Sequence, residues 1–169
     1  MHAINNDHFS LFSSASGVVI KNRVVTFDDT YFTLENACDI TLTRDVMTDT
    51  FHVKYNPKTR AITLMMGQYP ISISASGNVT VGTTPIPLPF EDFNGFTLAV
   101  FDDILEVNNP GLFRIQYYLQ YDMIVITVSG WYQGKLAGVL GTFTNDRNDD
   151  LVLPSGELSS SQRVRIKMK

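Results

Sequence analysis

Ile71-Ser72-Ile73-Ser74-Ala75-Ser76 alternates apolar and polar side chains at every step. Successive side chains of a β-strand point to opposite faces, so this stretch makes one oily face and one hydroxyl face. The same period recurs along the chain. Ile40 and Leu42 alternate with Asp39, Thr41 and Thr43, and Phe51, Val53 and Tyr55 alternate with His52 and Lys54. Ile124, Ile126 and Val128 do the same with Val125, Thr127 and Ser129. The runs are short, β-branched and aromatic, and close on turn formers such as Asn56-Pro57, Ser76-Gly77-Asn78, Asn94-Gly95 and Asn108-Asn109-Pro110-Gly111. They recur about every 8–12 residues, the spacing of a sandwich or barrel. No window of 3.6-residue periodicity exceeds two turns. The chain reads as one all-β domain.

Composition bounds the function. At 169 residues with 44% hydrophobic and 18% charged side chains, the chain is neither disordered nor a coiled coil. A domain of this length can bury roughly 70% of its unfolded surface. No apolar stretch reaches the ~18 residues of a membrane helix, and Met1 to Ser16 lacks the n- and h-regions of a signal peptide. A net charge of −4 without a long basic run argues against nucleic-acid binding. The single cysteine, Cys38, excludes an internal disulfide and a cysteine-based zinc site, and reads as a small buried apolar residue.

Two stretches break the rhythm. Thr83 to Pro89 holds three prolines and is expected to be an edge or a crossing segment. Thr142 to Asp150 is a polar loop with Asp146, Asn148, Asp149 and Asp150 within five positions. Such like charges repel unless solvent or a cation neutralises them. Oxygen ligands without histidine point to a hard cation, calcium before magnesium. An EF-hand is excluded by Leu151 at its glycine position, by Pro154 and by the lack of flanking helices. A solvated acidic turn and a calcium loop both remain open on these residues alone.

Three linked motifs carry a resemblance. Leu136-Ala137-Gly138-Val139-Leu140-Gly141-Thr142-Phe143, then Asn148-Asp149-Asp150-Leu151, then Pro154-Ser155-Gly156 resembles the closing signature of von Willebrand factor type D domains. Val25-Thr26-Phe27-Asp28-Asp29-Thr30-Tyr31-Phe32 resembles their opening strand. Asn36-Ala37-Cys38-Asp39-Ile40-Thr41-Leu42-Thr43-Arg44-Asp45 resembles the segment that follows it. The resemblance implies a two-sheet β-sandwich over residues 18–158, between an N-terminal extension (1–17) and a basic tail or strand (159–169). It also implies one calcium ion held by Asp28 together with Asp146, Asn148, Asp149 and Asp150. Thr144 stands where the family often has Asn or Asp, and Asn145 stands at the following glycine. Ala137 and Leu140 replace the two signature cysteines, and the Asp-Pro dipeptide of self-cleaving members is absent upstream of Phe27.

Gly130-Trp131-Tyr132-Gln133-Gly134-Lys135 before this cysteine-poor closing segment is similar to the type D modules of large lipid transfer proteins, the apolipophorin, vitellogenin and clotting-protein group. That implies a secreted, non-catalytic structural or interaction module working beside the other domains of a lipoprotein. Lipid, a receptor or another copy are further possible partners. The alternative is a self-association module of an extracellular clotting or adhesion protein. Asn78-Val79-Thr80, at an expected hairpin tip, is the sole glycosylation sequon. His2, His8 and His52 share no ligand spacing, and the aspartate pairs Asp28-Asp29 and Asp102-Asp103, if on strands, face opposite ways. No nucleophile elbow, His-Glu-x-x-His or phosphate loop is present, so no enzyme is expected. The tail Arg163 to Lys169 alternates cationic and apolar residues, as a charged edge strand or an anionic-surface contact would.

Overall fold

The computed structural model describes residues 13–34, 39–92, 94–150 and 163–164. Cys38 and most of the basic tail lie outside them. Five strands come first: β1 (Ala15–Ile20), β2 (Arg23–Val25), β3 (Tyr31–Leu34), β4 (Ile40–Asp45) and β5 (His52–Asn56). Next are β6 (Ala61–Met66), β7 (Tyr69–Ile73), β8 (Val79–Val81), β9 (Thr84–Pro85) and β10 (Phe90–Glu91). The last six are β11 (Thr97–Phe101), β12 (Ile104–Asn109), β13 (Phe113–Tyr118), β14 (Met123–Val128), β15 (Leu136–Ala137) and β16 (Arg163–Val164). A single 3-10 turn, Gly130–Tyr132, is the helical exception among the described residues.

The strands form two sheets. One runs β10-β11-β12-β13-β14-β1-β2-β3-β16 and the other β15-β4-β5-β6-β7-β8-β9. Pairing is antiparallel throughout except for β16, which lies parallel to β3. The period-two pattern decides which side is buried. Leu105, Val107, Ile115, Tyr117, Ile124 and Ile126 of the first sheet face Val53, Tyr55, Ile62, Leu64 and Ile73 of the second in one hydrophobic core. Contacts cross between the layers. The Phe51 and Phe113 rings stack with centroids 4.6 Å apart, and the Tyr117 hydroxyl donates to the Arg60 carbonyl at 2.9 Å. This is a two-layer β-sandwich. The proline stretch behaves as its missing donors require: Thr84–Pro85 ends one sheet, and the chain then crosses to Phe90–Glu91 at the edge of the other.

One row stands out on each outward face. Across the seven-stranded sheet, the register aligns Thr41, Lys54, Thr63, Ser72, Thr80 and Pro85 in one polar row. Across the nine-stranded sheet, it aligns Phe101, Ile104, Tyr118, Met123 and Ile20. None of these five is buried, and Phe101 is 61% exposed.

The closing segment joins the layers at one end. β15 pairs with β4, and the amides of Val139 and Leu140 donate to the carbonyls of Thr41 and Leu42, both at 3.0 Å. The Leu140 carbonyl then accepts from the Phe27 amide of the other sheet's β2–β3 connection at 2.9 Å. The Leu140 side chain is fully buried, and a Cβ on Gly17 would lie 2.9 Å from it. A leucine at a cysteine position of the family signature thus fills a hydrophobic slot that a bare backbone in β1 leaves open. Gly138 is equally constrained, since its φ is +136° and a Cβ would approach the Leu42 carbonyl oxygen to 2.5 Å.

Two readings of the aspartates are corrected. Asp28 and Asp29 are not on a strand: they occupy the turn between β2 and β3, with Asp29 at φ 63°. Thr26 enforces that turn, its amide donating to the Thr30 carbonyl and its hydroxyl accepting the Thr30 amide, each at 2.9 Å. Asp102 and Asp103 likewise form the β11–β12 turn, with Asp102 at φ 51°.

Asp45, at the end of the second motif, has a structural task. Its buried carboxylate accepts the Met47, Thr48 and Thr50 amides and the Thr48 and Thr50 hydroxyls, fixing the β4–β5 turn. Burial pushes its pKa up, but these donors outweigh burial and hold the carboxyl well below the ordinary range. A depressed carboxyl contributes stability that is complete above the unfolded pKa, about 3.9, and is lost as pH falls through the folded value. Asp45→Asn should therefore cost about 2 kcal/mol at pH 7. In urea melts, the gap between variant and wild type should narrow from about pH 4 downward.

Candidate metal centre

Two loops converge where the closing segment meets the β2–β3 turn. The turn contributes Asp28, and the loop after Gly141 contributes Asp149 and Asp150. Oxygens from these three carboxylates lie within 4.8 Å of one another. Asp28 and Asp150 are buried, at 7% and 5% exposure, and Asp149 is half-buried. Every carboxylate is met by short donors. The Thr144 amide donates to Asp28 at 2.8 Å and the Asn145 amide to its other oxygen at 3.0 Å. The Thr142 hydroxyl reaches Asp149 at 2.7 Å, and the Thr144 hydroxyl reaches both Asp149 oxygens at 2.9 and 2.7 Å. The Thr26 hydroxyl donates to Asp150.

These donors satisfy lone pairs without cancelling charge. Arg147, the cation within the loop, spends its Nε on the Asp28 backbone carbonyl at 3.1 Å and pairs with Asp29 at 3.9 Å. Among the described residues, no lysine or arginine pairs with the three clustered carboxylates. Burial pushes the Asp150 carboxyl up, the Thr26 hydroxyl pulls it back, and the neighbouring Asp28 raises it again. The cluster is therefore short of positive charge. An all-oxygen donor set of this kind suits a hard divalent cation.

Not every loop acid joins it. Asp146 is exposed and accepts the Asn148 amide at 2.9 Å and the Asn148 side-chain amide at 2.8 Å. Together with Phe27 and Asn145, these two line the open cleft beside Asp28. The structure thus gathers Asp28, Asp149 and Asp150 and leaves Asp146 and Asn148 at the rim. Thr26 and Thr142 are contributors that sequence reasoning missed. Thr26 stands two residues before Asp28 inside the opening motif, and that position was its signal.

Backbone geometry explains the loop's residue types. Asn145 has φ +65°, a left-handed conformation that asparagine tolerates better than other non-glycine residues. This accounts for the glycine that the resembling family carries there. Phe143 is also left-handed, at φ +56°, and its buried ring packs 6.2 Å from that of Phe27. Gly141 is demanded twice: its φ is +85°, and a Cβ would sit 2.0 Å from an Asp150 carboxylate oxygen.

The sequence of residues 17–157 matches the family model of the von Willebrand factor type D domain. The chain belongs to that family. Apolipophorin of Galleria mellonella is 24% identical over 151 residues, covering 86% of this chain and 10% of that protein. SCO-spondin of Gallus gallus is 23% identical over 144 residues, covering 79% of the chain and 3% of the relative. Apolipophorins of Locusta migratoria are 21% identical over 138 residues, covering 80% and 4%. The chain thus spans a tenth or less of the length of these relatives. Within this type D domain, the closing motif positions a carboxylate group and ties the two sheets together at once.

The glycine of that motif provides a graded test. Gly141→Ala must both adopt a strained φ and displace the Asp150 carboxylate. Gly134→Ala, at φ +69° with nothing within 4 Å of the new Cβ, carries the conformational strain alone. Gly134→Ala should cost about 1–2 kcal/mol. Gly141→Ala should cost at least about 2 kcal/mol more, as fully buried misfits do, when both are measured by urea denaturation.

Proposed function

We propose that this type D domain is a non-catalytic, calcium-braced module of a large extracellular lipid-transport protein. The observation that carries the reading is the trio Asp28, Asp149 and Asp150, contributed by two loops far apart in sequence and paired with no basic side chain among the described residues. Asp28, Asp149 and Asp150 would ligate the ion directly. The Thr144 hydroxyl already faces Asp149 and lies 3.4 Å from Asp28, a suitable place for a further oxygen. Asp146 and Asn148, at the mouth of the cleft, would complete a shell of six to eight oxygens. The ion supplies positive charge to a desolvated acidic cluster. The protein's own contribution is to hold those acids in place through Thr26, Thr142 and the Thr144 and Asn145 amides.

The apolipophorin relatives support the lipid-transport setting, and the apolar row on the nine-stranded sheet supports contact with neighbouring domains of a longer chain. SCO-spondin relatives at similar identity favour a second reading, an extracellular self-association module with no lipid role. The brace is common to both.

An ion bound only by the folded state stabilises it, by about 2.7 kcal/mol at a hundredfold over its dissociation constant. Thermal melts with excess calcium and then with chelator should separate for wild type and for Asp103→Ala, whose acid lies in the distant β11–β12 turn. Asp150→Ala should show no separation. Identical wild-type melts in both conditions would reduce the loop to a solvated acidic turn.

A further inference from the structure

We propose that Asn78 carries an N-linked glycan, which makes the polar face of the seven-stranded sheet the side turned to solvent. The inference rests on the extracellular placement proposed above. Asn78 immediately precedes β8, in which Val79 is buried in the core, while Asn78 is exposed and Thr80 half-buried. The acceptor amide and the hydroxyl of the sequon thus both lie outside the core. Thr80 lies opposite Ser72 in the row of hydroxyls and Lys54 that crosses this sheet.

The turn that holds Asn78 is fixed by its backbone and not by its side chain. The Asn78 carbonyl accepts the Ser74 amide at 2.9 Å, the Asn78 amide donates to the Ser74 hydroxyl at 3.1 Å, and Gly77 donates to the Ser74 carbonyl at 3.0 Å. The side-chain amide makes one exposed bond, to the Ser76 hydroxyl at 3.1 Å, which water replaces without loss. The underside of the turn is occupied, since a Cβ on Gly77 would lie 3.1 Å from Leu119. A sugar on the Asn78 nitrogen thus has open solvent to enter and nothing packed to displace. The opposite outward face has no sequon, and its end row sets Phe101, Ile104, Tyr118, Met123 and Ile20 in register.

The test is the full chain, given a secretory leader and produced in eukaryotic cells, with cell-retained and secreted pools both analysed. Mass spectrometry after peptide N-glycosidase treatment should find Asn78 converted to Asp in the Ala61–Arg114 tryptic peptide. Intact mass should fall by one glycan on treatment, and Asn78→Gln and Thr80→Val should lack that step. Wild-type protein secreted without a glycan on Asn78 would overturn the proposal. Because the leader is supplied, that result would leave the calcium brace and the natural location of the chain to their own tests.

Discussion

Leu140 hydrogen-bonds to both sheets at once. Its amide donates to Leu42 in the seven-stranded sheet, and its carbonyl accepts from Phe27 beside the nine-stranded one. Sandwich layers are otherwise held by non-directional burial, which resists separation but tolerates sliding. A backbone bridge at one end fixes how the layers meet. It also brings the β2–β3 turn against the loop that follows, so that Asp28 faces the Thr144 and Asn145 amides and Thr26 faces Asp150. The carboxylate cluster is a consequence of that bridge.

The cluster has a cost that the bridge alone does not relieve. Two of its three acids are buried, and an ionised carboxylate loses hydration worth several kcal/mol when it leaves water. Donors from threonine hydroxyls and loop amides return part of this. The remaining imbalance shows in Asp150, which burial and the neighbouring Asp28 push toward the protonated form. A proton or a divalent cation can each neutralise the site. Only the cation leaves all three carboxylates ionised and able to grip two loops together. The Asp45 carboxylate is the instructive contrast, because five donors hold it ionised without an ion, and Asp49, the other acid of its turn, is paired with Arg44.

Much of this was legible in the sequence. Alternation of the Ile71–Ile73 kind located the strands, and the three motifs located the family, because both are local patterns of side-chain type. The same rhythm nevertheless runs on through Ser74 to Ser76, which form the turn after β7. What local patterns do not carry is backbone conformation imposed from a distance. Asp28 falls in a motif that reads as a strand, yet Thr26 and the left-handed Asp29 bend it into a turn. The acidic loop reads as one cluster, yet its chain path sends Asp149 and Asp150 inward while Asp146 and Asn148 bond each other at the rim. Asn145 looks like a departure from the family pattern until its φ of +65° shows why glycine or asparagine belongs there. The parallel pairing of Arg163–Val164 with β3 has no signature in period two, which fixes faces and not partners.

The central claim is that the two loops form one cation site. Calorimetric titration of calcium into the chelator-stripped domain at pH 7 measures it directly. The account predicts saturable binding of one ion per chain, lost in Asp28→Ala although that residue lies more than a hundred positions from the acidic loop. Absence of saturable heat in the wild type, or full binding retained by Asp28→Ala, would contradict it.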